Sequence, residues 1–241
     1  MIESLQNKTI KDLVRLQTKK ERDRSGLFLI EGAHMIEEAQ KAGCLTKVFR
    51  KESAPDIEGV ENIVCSDPVM AKISQSDSGA SLVGVCSKPV FENREASSYL
   101  VLDRIQDPGN MGTLIRSAFA FGCEKILLLP GCADPYNFKT LQSSQGAVFF
   151  EPIETLSAVE DLAFLKDRNI PLLGAALHQN SISLKNFTVP QKWAIAIGNE
   201  GRGLSQACLD LCDVTIFIEM KDFESLNAGV AGSILLYMFQ K

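Results

Sequence analysis

Alternating and continuous apolar stretches, separated by polar turns, divide the chain into two blocks. The first opens with a polar helical stretch from about Ile10 to Lys20, followed by a short strand, Leu27–Ile30. A helix near Ala33–Ala42 and strands at Lys47–Phe49 and Asn62–Cys65 come next. Asp67 is placed to cap a helix whose first turn holds Pro68. Ser81–Cys86 closes the block as an apolar strand, which predicts a small α/β domain over residues 1–88. Residues 89–97 are polar, contain proline and show no period, so they read as a linker.

The second block, residues 98–241, alternates apolar strands with helical patterns, as parallel α/β sheets do. Its predicted strands are Tyr99–Arg104, Lys125–Leu129, Ala147–Phe150, Pro171–Ala175, Ala194–Ile197 and Val214–Ile218. Helices are predicted near Thr113–Phe121, Asn137–Ser144, Val159–Asp167 and Leu204–Leu211, and an apolar helix runs from Leu226 to Phe239. Several strands are apolar on both faces, the pattern of a sheet covered by helices on each side.

Composition removes several function classes. No apolar run approaches the ~20 residues that span a bilayer, and the first residues lack the basic-then-apolar pattern of a signal peptide. Seven scattered cysteines without a C-x-x-C pair argue against a disulfide framework, which fits a cytoplasmic protein. Cys208 and Cys212, four apart, read as buried thiols on one helix face, and no metal site is expected. The two histidines, His34 and His178, lie outside any hydrolase or zinc motif, and there is no P-loop. The net charge of -5 disfavours a nucleic-acid partner, because basic surfaces supply most of the affinity for phosphate backbones. Between Lys8 and Arg24, however, seven basic residues face three acidic ones, a local excess of four that leaves the rest near -9. That asymmetry is equally a solvated helix face with internal ion pairs or an RNA-facing patch.

Three segments of the second block carry candidate chemistry. In Gln106–Arg116 a strand end and a Pro-Gly turn lead into a helix, with Asn110 placed as its N-cap and Arg116 breaking an otherwise apolar surface. Ile197–Ser205 follows an apolar strand, and its three glycines let backbone approach a ligand closely, with Glu200 among them reading as buried. Its G-x-x-G-x-G spacing, late in the chain, differs from the dinucleotide fingerprint of a first βα turn. In Ile216–Ala231 a strand ends in a loop, and Ser225 and Asn227 bracket the start of a helix rich in small residues.

In this order and spacing, the three segments resemble the motifs of the SpoU-type (TrmH-like) RNA ribose 2'-O-methyltransferases of the SPOUT superfamily. The first motif, N-x-G-x-x-x-R, matches Asn110, Gly112 and Arg116. The second, G-x-E-G-x-G, matches Gly198, Glu200, Gly201 and Gly203. The third matches Ile218, Met220, Ser225, Leu226 and Asn227, except that Glu219 stands where the family usually has proline. The resemblance covers most of residues 98–241, and Phe28–Gly32 looks like part of the amino-terminal substrate-binding domain common in the family.

The resemblance implies an α/β fold whose parallel-sheet domain closes a deep trefoil knot, an exception to unthreaded topology, behind a small α/β RNA-binding domain. It implies S-adenosyl-L-methionine as cofactor, held by Gly198, Gly203, Ile218, Met220 and Leu226. Arg116 would act on the ribose hydroxyl, with Asn110, Glu200, Ser225 and Asn227 as orienting groups in the catalytic set. The RNA would be ribosomal in preference to tRNA, gripped partly by Lys19, Lys20, Arg22 and Arg24. A homodimer is implied through the knotted domain, and the small residues Ala228, Gly229, Ala231 and Gly232 fit close packing there. The rival classes are a catalytically silent RNA-binding factor and a nucleotide-dependent α/β enzyme. The latter gives no role to Ser225-Leu226-Asn227.

Overall fold

The computed structural model describes residues 1–92, 94–177, 180–221 and 226–240. The elements of the first part are α1 (Lys8–Arg15), α2 (Lys19–Ser25), β1 (Leu27–Glu31), α3 (Ala33–Lys41), β2 (Leu45–Arg50), β3 (Glu61–Val64), α4 (Asp67–Ile73) and β4 (Leu82–Ser87). There follow β5 (Ser98–Asp103), α5 (Pro108–Ala120), β6 (Lys125–Leu128), α6 (Phe138–Ser144), β7 (Ile153–Thr155), α7 (Phe164–Asp167), β8 (Leu172–Ala175) and β9 (Ile182–Ser183). The last are β10 (Trp193–Gly198), α8 (Gln206–Leu211), β11 (Val214–Phe217) and α9 (Ala228–Phe239). They build two units, one of Met1–Phe91 with Tyr136–Phe150, the other of Glu92–Pro135 with Glu151–Lys241.

In the first unit, β1-β4-β2-β3 form a sheet in which only β2 and β3 run parallel. Period-two alternation sends Leu29, Phe49, Val83 and Val85 to one face, against Ile10 and Leu13 of α1 and Val69, Met70 and Ile73 of α4. Phe28 points the other way and is fully buried under Tyr136 and Phe149, with ring centroids 4.8 and 6.1 Å away. The Ala147–Phe150 segment is therefore not the strand its apolar run predicts. It is a 3-10 turn, Ala147–Phe149, because Gln145 and Gly146 both take positive φ (49° and 90°) and reverse the chain. The strand lies further on, as the short β7.

Two other expectations for this unit need correcting. The helix predicted over Ile10–Lys20 breaks after Arg15, and Arg22 secures the break by donating from Nη1 to the Leu16 carbonyl at 2.9 Å. Arg22 is 5% exposed, so its guanidinium is engaged inside the protein and not offered to RNA. In α4 the N-cap is Ser66, one residue before Asp67.

The second unit is a seven-stranded, all-parallel sheet in the order β7-β6-β5-β10-β8-β11-β9. β5 and β10 lie in its interior and every residue of both is buried, which is why neither alternates. The two-residue edge strand β9 carries too little apolar signal to be read from sequence. Tyr99, Val101, Ala194 and Ala196 pack one face with Leu204 and Cys208. Of the two thiols expected to be buried, Cys208 is buried and Cys212 only partly so.

α5 and α9 pack against each other. A Cβ on Gly232 would lie 2.2 Å from Leu114, and one on Gly229 would crowd Asn110 and Thr113. The small residues Gly229 and Gly232 thus serve close packing of α9 on α5 within this chain. The apolar side chains that α9 leaves outside are Val230, Tyr237 and Met238.

Glu151 opens the second unit's last segment with its carboxyl 1% exposed and Oε1 without a partner among the described residues. Burial pushes its carboxyl up to about 8. A raised folded value means the contribution is intact below the ordinary carboxylate range and is lost as pH climbs through about 8. Glu151→Gln is expected to remove this loss. By calorimetric melting it should gain about 2–3 kcal/mol over the parent between pH 5 and pH 8, with little difference at the acid end.

Candidate active site

The carboxyl ends of β5, β8, β10 and β11 meet where the strand order changes direction, the usual place for ligands in open parallel sheets. A cavity of about 340 Å³ lies there, lined by residues at the ends of β8, β10 and β11 and the start of α9. The candidate residues Gly198, Gly203, Ile218, Met220 and Leu226 all line it, as does Glu200.

The second-motif loop owes its shape to a few polar contacts. After Gly198, the Asn199 and Gly203 backbones bond reciprocally at 3.0 and 2.9 Å, closing a five-residue turn. Asn199 Oδ1 accepts from the Gly201 and Arg202 amides at 3.1 Å, while its Nδ2 donates to the Arg104 carbonyl. Gly203 takes φ 66°, where a side chain would be strained. Beneath the loop sits the buried Asp103, which accepts from Ser205 N at 2.5 Å and from Arg104 Nε at 3.0 Å. Arg104, held at φ 58°, also donates to the Gly203 carbonyl. Asp103, Arg104 and Asn199 were not singled out from sequence. The available signal was an acidic residue ending an otherwise apolar strand, Tyr99-Leu100-Val101-Leu102-Asp103.

The first motif docks onto that loop. Asp107, not Asn110, is the N-cap of α5, accepting from Asn110 N at 2.8 Å with Pro108 in the first turn. This frees the Asn110 side chain, whose Nδ2 donates to Glu200 Oε1 at 3.0 Å. The Asp107 and Gln106 amides also donate to the Glu200 carboxylate, at 3.2 and 3.5 Å. Glu200 is exposed, contrary to the buried position expected of it. Partial desolvation raises its carboxyl, but the Asn110 and backbone hydrogen bonds outweigh this and hold it below the usual range. It is a fixed carboxylate at neutral pH.

Arg116 stands apart from this cluster. It is exposed on α5, outside the cavity lining, and makes no hydrogen bond or ion pair among the described residues. Glu200 and Asn110 are engaged with each other and do not orient it. Asn227 is the N-cap of α9, accepting from Val230 N at 3.2 Å, so the helix starts at Ala228 and not at Leu226. Ser225 lies outside the described residues. Glu219, between the cavity residues Ile218 and Met220, accepts from Ser183 Oγ at 2.5 Å and pairs with Lys185. In the first unit, Lys19 pairs with Asp23 and Arg24 with Glu21, and both cations stay largely exposed. Lys20 is exposed as well.

The pattern of the SpoU rRNA Methylase family matches residues 97–237, and that of the MRM3-like substrate binding domain matches residues 7–84. A Bacillus subtilis protein, the 23S rRNA (guanosine(2553)-2'-O)-methyltransferase RlmP, is 35% identical over 98% of this chain and 97% of its own. The 23S rRNA (uridine(2479)-2'-O)-methyltransferase of Streptomyces viridochromogenes is 28% identical over 92% of this chain and 85% of its own. The crystal structure of the SpoU methyltransferase AviRb from Streptomyces viridochromogenes, in complex with AdoMet, superposes with a TM-score of 0.86 at 25% identity, covering 97% of each chain. With the catalytic pattern spanning residues 97–237 and a relative 35% identical along nearly the whole length, this chain belongs to the SpoU rRNA methylase family.

Proposed function

We propose that this protein transfers a methyl group from S-adenosylmethionine to the 2'-hydroxyl of a ribose in ribosomal RNA. The observation that carries the reading is the cavity, where elements of the second and third motifs come together. Its volume of about 340 Å³ lies in the range of small-molecule sites, ~300–1,000 Å³. Its floor at Gly198 is bare backbone, because a Cβ there would lie 2.2 Å from the Gly203 and Leu204 backbone atoms. A donor with a nucleoside and an amino-acid end suits a pocket of backbone groups flanked by Ile218, Met220 and Leu226. The fixed Glu200 carboxylate at its edge complements a cationic ligand.

When bound, S-adenosylmethionine supplies an electrophilic methyl group on a sulfonium. The chain's task is to hold the ribose oxygen in line with it, and such positioning provides much of the rate. The Arg116 guanidinium offers hydrogen-bond donors and no acceptor, so its role is to anchor the adjacent phosphate and to stabilise charge developing on the hydroxyl oxygen. Asn110 and Glu200 fix the junction between the first two motifs, and Asn227 sets the start of α9. Ser225 is assigned to the ribose side by motif position alone.

The same reading makes residues 1–88 an RNA-binding domain, 89–97 a linker and 98–241 the catalytic domain, closed by a trefoil knot. Lys19, Lys20 and Arg24 would contact RNA phosphates. A homodimer is supported by the exposed apolar side chains Phe119 on α5 and Val230, Tyr237 and Met238 on α9. No helix among the described residues is long and apolar enough to cross a membrane. We place the activity in the cytoplasm, with ribosomal RNA. The test is to map ribose methylation across total RNA with and without the gene. Loss of a 2'-O-methyl group from the large-subunit RNA is expected. Loss confined to tRNA would move the substrate, and no loss anywhere would overturn the activity.

A further inference from the structure

Past the end of β11 the chain runs as residues 218–221 along one wall of the cavity, where Ile218 and Met220 face inward. Among the described residues, no backbone group of 218–221 makes a hydrogen bond. Among the described residues, nothing in the main chain therefore fixes this wall. The side chain between the two lining residues does. Glu219 accepts from Ser183 Oγ through Oε1 and pairs with Lys185 Nζ through Oε2. Ser183 is 9% exposed and sits in β9, whose register sets it beside Phe217 of β11. Lys185 follows in the 3-10 turn Leu184–Asn186. The contacts tie the cavity wall to the sheet edge through both carboxylate oxygens.

We propose that Glu219, with Ser183 and Lys185, is a positioning tether that holds Ile218 and Met220 in the shape that binds the donor. This rests on the reading of the cavity as the S-adenosylmethionine site. The Ser183 arm of the tether starts from a buried hydroxyl, while the other reaches solvent, since the Lys185 side chain is 76% exposed. Salt must act on the second arm, because the screening length falls from ~30 Å at 0.01 M to ~3 Å at 1 M ionic strength. Donor affinity in this protein is accordingly tuned by ionic strength through a residue that never touches the donor. Both hydrogen bonds favour the charged carboxyl, Lys185 more than Ser183, so Glu219 remains ionised at neutral pH.

The test uses the full chain and S-adenosylhomocysteine, which carries no net charge at neutral pH. Salt effects on its binding then report the protein's own ion pair. By titration calorimetry the parent should lose about threefold in affinity between low and high salt. Glu219→Gln and Lys185→Met should bind about fivefold more weakly at low salt and show a flat salt profile. The double exchange Glu219→Lys with Lys185→Glu should recover part of the affinity and the salt dependence. In turnover at fixed salt, the single variants should raise the KM for S-adenosylmethionine and leave kcat at saturation unchanged. Melting curves check folding, and the exposed Lys185 variant keeps the test decisive if Glu219→Gln folds poorly. Parent-like affinity and salt profile in both single variants would overturn the tether alone. Failure of the parent to bind S-adenosylhomocysteine at any salt would overturn the cavity assignment as well.

Discussion

Replacing Arg116 by alanine is expected to lower single-turnover methyl transfer by a hundredfold or more, roughly the cost of removing one donor aimed at developing negative charge. Affinity for S-adenosylhomocysteine, read by calorimetry, should stay within about twofold of the parent. The separation follows from position. Arg116 is exposed on α5, lines no part of the cavity and has no partner among the described residues, so removing it leaves the cofactor walls untouched. Arg116→Lys should recover little, because an ammonium keeps the charge but loses the planar fork that grips a phosphate in two places. Equal loss of binding and turnover in the alanine variant would make the residue structural, and the chemical role would fall.

The second large effect belongs to Gly198. Alanine there places a methyl group 2.2 Å from Gly203 C and Leu204 N. Both obstacles are main chain and cannot swing aside, so the five-residue turn must open, breaking the Asn199–Gly203 bridge. S-adenosylhomocysteine binding should fall by about a hundredfold, and stability by a few kcal/mol, as for other severe backbone clashes. Two neighbours serve as controls. Gly201→Ala meets only Asn199 Oδ1 at 3.8 Å and should be near neutral. Gly203→Ala has open space but a φ of 66°, and should cost about 1 kcal/mol. If all three substitutions behaved alike, the close backbone crossing would not be what shapes the pocket.

These contrasts mark where the sequence could be read and where it could not. β5 and β10 were legible because strands buried on both faces are apolar without interruption. The motif loops were legible through glycine spacing. Turn residues were harder, because Asp107 and Asn110 are both good caps and only the helix start decides between them. That choice matters, since it gives the Asn110 amide to Glu200. Arg22 was misread because a basic residue in a basic cluster looks exposed until a helix break supplies a carbonyl for it. Gly229 and Gly232 show the same limit: small residues announce close packing but not the packing partner. The Glu219 contacts were invisible, since they need a two-residue edge strand to carry Ser183 alongside.

The detour of residues 136–150 bears on how the protein is made. Tyr136 and Phe149 cover Phe28, yet they are synthesised more than a hundred residues after it, once β5 and β6 have already emerged. At about 5–20 residues per second, the nascent amino-terminal half carries an uncovered aromatic ring for several seconds. Its completion therefore waits on a segment translated in the midst of the catalytic half, and the two halves cannot finish folding strictly one after the other.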